Sequence, residues 1–486
     1  MNKRHIVIRW SLLALAVWII LNGSCRSEAE ADKGPLYSPA EIDSLYPGAA
    51  EQYALLCAGC HGNKVMAFVD RDWENGYSAT FLADRIREGD EKDGMPPFGA
   101  AMTEEEIAEM ADYLRLSIQN LAQYEFEERP DIHQVFHSES LDYKLELVTD
   151  GLESPWGMAF LPDGGMLIAD KNGKLYSLSP DGKKSNLKGV PEVLYDGQGG
   201  LMDLELHPEF EENHWVYMSY SAFMEKDGED LATTAVARAR LGDGELTELQ
   251  VIFEAEPYLE TRHHYGCRLE FDREGYLYFS VGDRGRRDEN PQSLENHCGK
   301  IHRLYDDGSI PPDNPFVNTP GALPSIYSYG HRNPQGVVMH PESGEIWTHE
   351  HGPRGGDEIN IIRPGLNYGW PVISYGINYD GTVFTPYTEK EGMEQPLHYW
   401  VPSIAPCGME FITGDRYPGW EGNLLAGSLK YEYLHMCHMD GDQVLQEEML
   451  MKNIGRVRDV KQSPDGYIYV AVEEPGVVYR IIPQGS

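Results

Sequence analysis

A short turn followed by an apolar strand recurs six times in this chain, and this recurrence restricts the fold more than any other feature. The turns lie around residues 163, 213, 274, 343, 422 and 465. The stretches between them can hold about four short antiparallel strands each, and such units pack radially around one axis. We therefore predict an all-β, six-bladed β-propeller over residues 141–486, with a β-sandwich as the alternative.

A second motif lies near the N-terminus, where Cys57, Cys60 and His61 form the run Cys-Ala-Gly-Cys-His. Two thiols that flank two residues can hold a haem covalently, and the adjacent imidazole can ligate its iron. Met95 follows 34 residues after His61, and the two prolines beside it stiffen the loop that presents its thioether as the other iron ligand. A zinc site or a plain thiol pair is the alternative, but no second Cys-x-x-Cys follows.

Helices are predicted around this motif. One, near residues 49–56, delivers the cysteines, and a capping box of Thr103 and Glu106 opens another that has an apolar face. That face consists of Ile107, Met110, Leu114 and Ile118. Two helices around a loop-bound haem resemble a small all-α, class I cytochrome c domain, here residues 40–122. The resemblance implies a covalent haem c that carries electrons.

The first residues have the pattern of an export signal. Lys3 and Arg4 precede an apolar stretch at 10–21 that is too short to cross a bilayer. Small residues before Cys25 resemble a bacterial lipoprotein cleavage site, so we expect a signal peptide over 1–25 and a lipid on Cys25. An ordinary signal peptide is the alternative. We expect an exported protein of the periplasm or cell envelope, with linkers at 26–39 and 123–140.

The charge balance excludes one class of partner. The chain has 40 Lys and Arg against 79 Asp and Glu, a formal charge of −39, which repels phosphate backbones and anionic lipid surfaces. We expect no nucleic acid partner and no membrane contact beyond the lipid anchor. The acidic runs are interpreted as a solvated face, with a docking site for a basic electron carrier as the alternative.

Four further cysteines, Cys267, Cys298, Cys407 and Cys437, lie in the predicted propeller. Cys267 and Cys407 occupy equivalent places in two repeats, because another cysteine follows them 31 and 30 residues later, respectively. An exported protein can form disulfides, and four cysteines allow three sets of pairs. The sequence leaves all three open.

Six polar fragments are distributed over the repeats, as expected for a propeller that collects a site around its axis. They are GQGGLMD at 197–203, RHHYGCRL at 262–269, GHRNPQG at 330–336, EHGP at 350–353, SLK at 428–430 and RVRD at 456–459. In this order they are similar to the soluble glucose/sorbosone dehydrogenase family of quinoproteins, over about residues 145–482. The resemblance implies a sugar-oxidising enzyme that binds calcium and pyrroloquinoline quinone (PQQ), a planar ortho-quinone with three carboxylates.

A trianionic quinone needs positive partners in so acidic a chain, and guanidinium groups pair with carboxylates in two-pronged fashion. The resemblance assigns the PQQ contacts to four cations and two amides: Arg332, Lys430, Arg456, Arg458, Gln198 and Asn333. It assigns Ca²⁺, a hard Lewis acid, to the backbone carbonyls of Gly352 and Pro353. Asp357 and Glu358 could ligate a further calcium, but a turn-capping role is favoured for them.

The same resemblance implies a catalytic pair. Alignment on Arg268 and Leu269 puts His264, rather than His263, where the family keeps its general base. Imidazole can take a hydroxyl proton near neutral pH as hydride passes to the quinone, and Arg332 can stabilise charge on the quinone oxygen. A packed histidine without a catalytic role is the alternative for His264, and His263 receives no role.

Together the two halves predict an exported quinohaemoprotein dehydrogenase. A sugar, or a related polyol or aldehyde, loses two electrons at the propeller, and these leave singly through the haem c toward an acceptor of the respiratory chain. Two other functions stay open. One is a non-catalytic propeller that binds glycan or protein, and the other is a metal-dependent lactone hydrolase, which needs carboxylates around an axial metal.

Overall fold

The computed structural model of this protein describes residues 37–61, 77–90, 95–120 and 129–485, without the side chains of residues 59 and 60. The predicted signal peptide, the lipidation site Cys25 and most of the 26–39 linker lie outside the described residues. The side chain of Cys60 does so as well. Within the described ranges, no helix has the length and apolar character needed to cross a bilayer.

The N-terminal domain consists of short helices around one apolar core. In chain order they are α1 (Pro39–Leu45), α2 (Pro47–Gln52), a π-helical turn (Tyr53–Cys57), α3 (Ala58–His61), α4 (Ala79–Glu88) and α5 (Glu104–Gln119). The predicted capping box opens α5, because the Thr103 hydroxyl accepts from the Glu106 N–H at 3.3 Å and the Glu106 carboxylate accepts from the Thr103 N–H at 2.7 Å. The predicted apolar face of α5 is buried in the domain core: Ile107, Met110, Leu114 and Ile118.

The described residues from 136 onward form six antiparallel sheets, which confirms the predicted six-bladed propeller. Strands β1 (Phe136–His137) and β2 (Asp142–Thr149) come first in the chain and join the last blade. Blade one contains β3 (Pro155–Phe160), β4 (Met166–Asp170), β5 (Lys174–Leu178) and β6 (Lys184–Asn186). Blade two contains β7 (Leu201–Leu206), β8 (Trp215–Lys226), β9 (Glu229–Leu241) and β10 (Leu246–Glu254), with the short helix α6 (Phe210–Asn213) after β7.

Blades three to six follow the same order from the axis outward. Blade three contains β11 (Leu269–Phe271), β12 (Leu277–Val281), β13 (Lys300–Leu304) and β14 (Ile326–Tyr329). Blade four contains β15 (Pro334–Met339), β16 (Ile346–Glu350), β17 (Asp357–Ile362) and β18 (His398–Trp400). Blade five contains β19 (Pro406–Phe411), β20 (Leu424–Ser428), β21 (Tyr433–Asp440) and β22 (Gln443–Leu450). Blade six contains β23 (Val457–Gln462), β24 (Ile468–Val472) and β25 (Val477–Gln484), and β2 and then β1 follow at its outer edge.

Each of the six predicted turns connects the innermost strand of a blade to its second strand. The apolar residues after the turns form β4, β8, β12, β16, β20 and β24. All residues of β4, β12, β16 and β20 are buried, because neighbouring blades cover both faces of each sheet. This burial is the physical reason that the turn and strand pattern recurs.

The ring closes through its first long strand. Strand β2 pairs antiparallel with β25, and Asp142 lies opposite Gln484 in the ladder. Strand β1 pairs with β2 at the outer edge of blade six. Residues of the propeller therefore extend into the segment 123–140, which was predicted to be a linker.

One buried arginine, Arg268, contacts a group from every other blade at the axis. Its guanidinium pairs with Asp203 of blade two and Asp459 of blade six, each at 2.9 Å. Its other contacts are the Gln335 carbonyl in blade four at 3.0 Å, Cys407 Sγ in blade five at 3.6 Å and the Trp156 ring in blade one at 4.2 Å. Arg268 is 3% exposed, so its charge depends on the two carboxylates. We call these three charged residues the axial cluster.

The four propeller cysteines are separate buried thiols. Cys267 and Cys407 lie at the innermost strands of blades three and five, and Cys298 and Cys437 lie at the third strands of the same blades. The two repeats are therefore equivalent, as the sequence indicates. None of the three possible sets of disulfides forms in this structure.

Removing the hydroxyl of Tyr143 tests how much the ring-closing strand β2 contributes to stability. Tyr143 in β2 is fully buried, and its hydroxyl accepts a hydrogen bond from the Met451 N–H at 3.1 Å. Tyr143→Phe leaves that buried N–H unpaired, so we expect the free energy of unfolding to fall by about 1–3 kcal/mol. Urea unfolding followed by tryptophan fluorescence measures this, with the exposed Tyr399→Phe as control. An unchanged midpoint in Tyr143→Phe would contradict the role given to this contact.

Candidate active site

The candidate site lies at one end of the propeller axis. The innermost strands β3, β7, β11, β15, β19 and β23 neighbour one another around the axis, and every blade repeats the same strand order. Segments that enter these strands, and segments that leave the second strands, therefore collect at the same end. The predicted residues in such segments, or at the first two positions of an innermost strand, are Gln198, His264, Arg332, Asn333, Gly352, Pro353, Lys430, Arg456 and Arg458.

His264 is paired with a buried carboxylate, Asp283. His264 Nδ1 lies 2.7 Å from Asp283 Oδ1, and Asp283 also accepts hydrogen bonds from Trp370 Nε1 and the Gly285 N–H, both at 2.8 Å. The side chain of Asp283 is 1% exposed and that of His264 is 14% exposed. Because the carboxylate holds the proton on Nδ1, Nε2 of His264 is left to accept a proton from a ligand.

The backbone around His264 is held in an unusual conformation. Its φ of +56° lies in the left-handed region, which residues other than glycine rarely adopt. The His264 N–H donates to Gln198 Oε1 at 2.8 Å, which ties this turn to blade two. A Cβ on Gly282 would lie 2.2 Å from the His264 carbonyl oxygen, so the close approach of the two backbones requires glycine there.

The charges of the pair are set by burial and by nearby arginines. Burial lowers the pKa of His264, and repulsion by Arg332 lowers it further, whereas Asp283 opposes both. Burial disfavours ionisation of Asp283, but attraction by His264 and Arg332 outweighs it and lowers its pKa to about 2. At neutral pH the arrangement is a neutral imidazole beside an ionised carboxylate, which is the form that a general base requires.

Arg332 is 6% exposed and is held by neutral oxygens. Its Nη1 donates to the His351 carbonyl at 3.1 Å, and its Nη2 lies 3.5 Å from the Tyr379 hydroxyl. Its backbone N–H donates to Glu350 Oε2 at 2.5 Å, which fixes the start of β15. Because no carboxylate among the described residues pairs with the guanidinium, its charge is available to an anionic ligand.

Two of the predicted cations share one carboxylate, Glu473. It accepts from Arg458 Nη2 at 2.8 Å, from Arg456 Nε at 3.1 Å and from the Ser154 hydroxyl at 2.6 Å. Burial opposes its ionisation, but attraction by Arg458, Arg456 and Lys171 holds the pKa of Glu473 well below its usual range. Three cations thus surround one carboxylate, and the local charge is positive.

The segment 404–407, which enters β19, links these groups. Its contacts are Ile404 O with Lys430 N at 3.3 Å, Pro406 O with His351 Nε2 at 2.8 Å and Cys407 Sγ with Arg458 Nη1 at 3.5 Å. Arg456 reaches the same place, because its Nη1 donates at 3.1 Å to the carbonyl of Leu429, the neighbour of Lys430. The structure therefore gathers the four predicted cations at one end of the axis: Arg332, Lys430, Arg456 and Arg458.

This donor set fits a small polyanion such as PQQ. Arg458 Nε is buried and has no hydrogen-bond partner among the described residues, and Lys430 pairs with no carboxylate in the same part of the chain. A buried N–H without a partner costs about 1–3 kcal/mol, which a ligand carboxylate would offset. The amide oxygen of Gln198 accepts from the His264 N–H, and that of Asn333 accepts from the Gly266 N–H. The NH₂ groups of both amides can therefore donate to a ligand.

The turn predicted to bind calcium is held by protein groups. Asp357 accepts from the N–H groups of Gly352, Ile404 and Ala405, each at 2.8 Å, which is the turn-capping role favoured for it. The Pro353 carbonyl accepts from the Ser403 hydroxyl at 3.3 Å. No cluster of three or more metal-ligating side chains occurs in the described ranges. A calcium ion on the backbone carbonyls of residues 352 and 353 stays a prediction.

The helical domain holds three of the four predicted haem ligands within the described side chains. Cys57 ends the π-helical turn, His61 ends α3, and the Tyr53 hydroxyl donates to the His61 carbonyl at 3.3 Å. Met95 exchanges two backbone hydrogen bonds with Asp90, each at 2.8 Å, which fixes its loop. Cys57 and Met95 both pack at the edge of the same apolar core. A thiol, an imidazole and a thioether around such a core fit a haem c.

Residues 152–480 of the chain match the family Glucose / Sorbosone dehydrogenase. The chain belongs to this family. Residues 47–114 separately match the family Cytochrome C oxidase, cbb3-type, subunit III. The propeller is also similar to aldose sugar dehydrogenase YliI of Escherichia coli (strain K12), with 42% identity over 349 residues that cover 70% of this chain and 93% of that protein.

Solved structures give the same relationship. The apo-form of the soluble aldose sugar dehydrogenase from Escherichia coli aligns with a TM-score of 0.68 at 41% identity, over 70% of this chain and 100% of that one. The PQQ-bound form of aldose sugar dehydrogenase from Streptomyces coelicolor aligns with a TM-score of 0.58 at 25% identity, over 70% of this chain and 98% of that one. This glucose/sorbosone dehydrogenase propeller is therefore joined to a cytochrome c domain.

Three charged groups of this candidate site were not predicted from the sequence: Asp283, Glu473 and Lys171. Each follows a second strand of a blade within two residues, namely β12, β24 and β4. The predicted Lys430 stands in the same relation to β20. A charged residue just past a buried strand of the repeat is therefore the signal that could have identified them.

Removing the negative charge of Glu473 tests its ion pairs with Arg456 and Arg458. Glu473→Gln leaves Arg456 and Arg458 without an ionised partner, so we expect the free energy of unfolding to fall by about 2 kcal/mol, less than for a fully buried pair because Arg456 is partly exposed. Folding lowers the pKa of the Glu473 carboxyl. The ion pairs therefore stabilise the fold at pH values above the ordinary pKa of 4.5, and this stabilisation is lost as the pH falls.

The measurement is urea unfolding of parent and variant at several pH values, with the exposed neighbour Glu474→Gln as control. The difference between parent and Glu473→Gln should shrink below pH 4.5. A difference that grows in acid would contradict the ion pair.

Proposed function

We propose that this protein oxidises an aldose sugar, or a related polyol or aldehyde, with PQQ as the quinone, and that the electrons leave through the haem of its own cytochrome c domain. Membership of the glucose/sorbosone dehydrogenase family and the similarity to an aldose sugar dehydrogenase support a sugar as the substrate. The PQQ-bound form of one relative supports the quinone. Calcium on the carbonyls of Gly352 and Pro353 is part of the proposal.

The observation that carries the proposal is the His264–Asp283 pair beside uncompensated cations. His264 Nδ1 is held 2.7 Å from Asp283, and the pair is buried near Arg332. A lactone hydrolase would need carboxylates around an axial metal, and the described residues offer no such cluster. A propeller that only binds glycan or protein does not require a neutral imidazole held beside an ionised carboxylate.

The chain's own residues then have distinct tasks. His264 Nε2 takes the proton of the substrate hydroxyl as its carbon becomes a carbonyl carbon, and Asp283 stabilises the imidazolium that forms. Arg332 stabilises negative charge that develops on a neighbouring ligand oxygen. Lys430, Arg456 and Arg458 hold carboxylates and orient the ring that bears them. PQQ bound by these residues would supply the two-electron acceptor for the hydride of the substrate carbon.

Reconstitution tests this function. We expect the full chain, loaded with haem, PQQ and Ca²⁺, to reduce its haem only when an aldose is also added, as seen in the haem absorbance. His264→Ala removes the base, so the rate should fall at least about 100-fold. His137→Ala, an exposed residue in β1, is the matched control and should reduce haem like the parent.

Three results would contradict the proposal in different ways. A His264→Ala protein as fast as the parent would remove the catalytic assignment of His264. Absence of PQQ binding in equilibrium dialysis would favour a binding propeller. Lactone hydrolysis without any electron acceptor would favour a hydrolase.

The pH dependence gives a separate prediction. Because neutral His264 is the active form and its pKa is lowered, kcat/KM should rise along an acid limb centred below pH 6.5. The charge of Asp283 raises the pKa of His264, so Asp283→Asn should move this limb to still lower pH while kcat falls at least about 10-fold. Dye-linked assays across pH measure both, with the exposed Asp288→Asn as control. A limb that moves to higher pH would refute the assigned coupling.

A further inference from the structure

One tyrosine contacts both the helical domain and the candidate site. Tyr379 lies in the loop between β17 and β18, and its half-buried ring packs against the apolar core of the helical domain. Its hydroxyl lies 3.5 Å from Arg332 Nη2. Among the hydrophobic side chains of the described residues, Tyr379 is the one from the propeller that packs on this core. The contact therefore joins the two domains at the edge of the site.

The loop that carries Tyr379 is fixed from the propeller side. Ile377 and Arg354 exchange two backbone hydrogen bonds, at 3.0 and 3.1 Å. Asn378 Oδ1 accepts from Arg287 Nη1 at 2.9 Å, and a tight turn at Gly381 follows. These contacts immediately precede and follow Tyr379, so the propeller itself fixes the backbone on both sides of this residue.

The surface that Tyr379 contacts is the one built around the predicted haem ligands. Cys57 and Met95 pack at the edge of the same core against which the Tyr379 ring packs. The ring thus lies between the core that would hold the haem and the arginine that faces His264. Electron tunnelling weakens steeply with the gap between donor and acceptor, and a packed aromatic ring also keeps water out of that gap.

We propose that Tyr379 docks the haem domain onto the rim of the quinone site and thereby sets the rate of internal electron transfer. This inference rests on the proposed function. Oxidation of one aldose to its lactone releases two electrons and two protons. The protons pass to solvent, and each electron reduces one ferric haem to ferrous haem, which an external one-electron acceptor reoxidises. Tyr379 is neither oxidised nor reduced and acts as a positioning residue.

The test compares two rates in the full chain loaded with haem, PQQ and Ca²⁺. Stopped-flow mixing with glucose gives the internal rate from haem absorbance, and excess redox dye gives the rate of sugar oxidation without the haem. In Tyr379→Ala the ratio of internal to dye-linked rate should fall by about tenfold or more, as expected for truncation of a central interface aromatic. Tyr387→Ala, an exposed tyrosine of the same loop, should leave the ratio unchanged.

Two further measurements separate docking from a general structural effect. Tyr379→Phe keeps the ring and should restore most of the lost ratio, whereas a Phe variant as slow as the Ala variant would overturn the role of the ring. Small-angle X-ray scattering of the haem-loaded protein without PQQ should show a larger radius of gyration for Tyr379→Ala than for the parent. An unchanged radius together with an unchanged rate ratio would overturn the proposal.

Failure of the proposed function would look different. A parent protein without dye-linked sugar oxidation would refute that function, and the scattering comparison would still decide whether Tyr379 docks the domain. A parent that oxidises sugar with dye, combined with a Tyr379→Ala protein that reduces its haem equally fast, would refute only the inference.

Discussion

The buried guanidinium of Arg268 is the interaction on which the propeller depends. Its contacts with the other five blades meet at the axis, and its charge is compensated by Asp203 and Asp459. Its loss would remove the guanidinium that pairs with both buried carboxylates, which costs several kcal/mol. Burial already raises the pKa of Asp459 to about 6, in spite of the attraction by Arg268. The axial cluster is therefore a finely balanced electrostatic centre rather than a simple apolar plug.

The axial cluster also determines where the site forms. Arg268 donates to the Arg458 carbonyl at 2.7 Å, and Asp459 is the next residue of β23. The backbone is thus fixed on the axis, while the Arg458 side chain points to Glu473 and Cys407 at the end of the ring. Positive charge is compensated within the cluster and is in excess at the site. A chain with a formal charge of −39 can in this way present positive charge to a polyanion at the end of the propeller axis.

The parts of the structure that repeat or depend on local pattern could be predicted from the sequence. The six turns predict the blades, and the Thr103 capping box predicts the start of α5, because both signals depend on residues that are close in sequence. The roles of Asp283 and Tyr379 could not be predicted, because they depend on contacts between elements far apart in the chain. Asp283 is held by Trp370 from another blade, and Tyr379 lies in a long loop without any repeat. Glu473 was not predicted because acidic residues are common in this chain, and only its position just after the buried strand β24 distinguishes it.

Closure of the ring by β2 has a consequence for biosynthesis. Because Asp142 pairs with Gln484, a strand made early must wait for almost the last residues of the chain before its partner exists. Contacts so distant in sequence form slowly, and the edge of β2 that later pairs with β25 is meanwhile free to pair with other chains. The helices of the N-terminal domain depend on nearer neighbours and can assemble sooner. A chain interrupted near its C-terminus would therefore combine a folded cytochrome c domain with an unclosed, aggregation-prone ring.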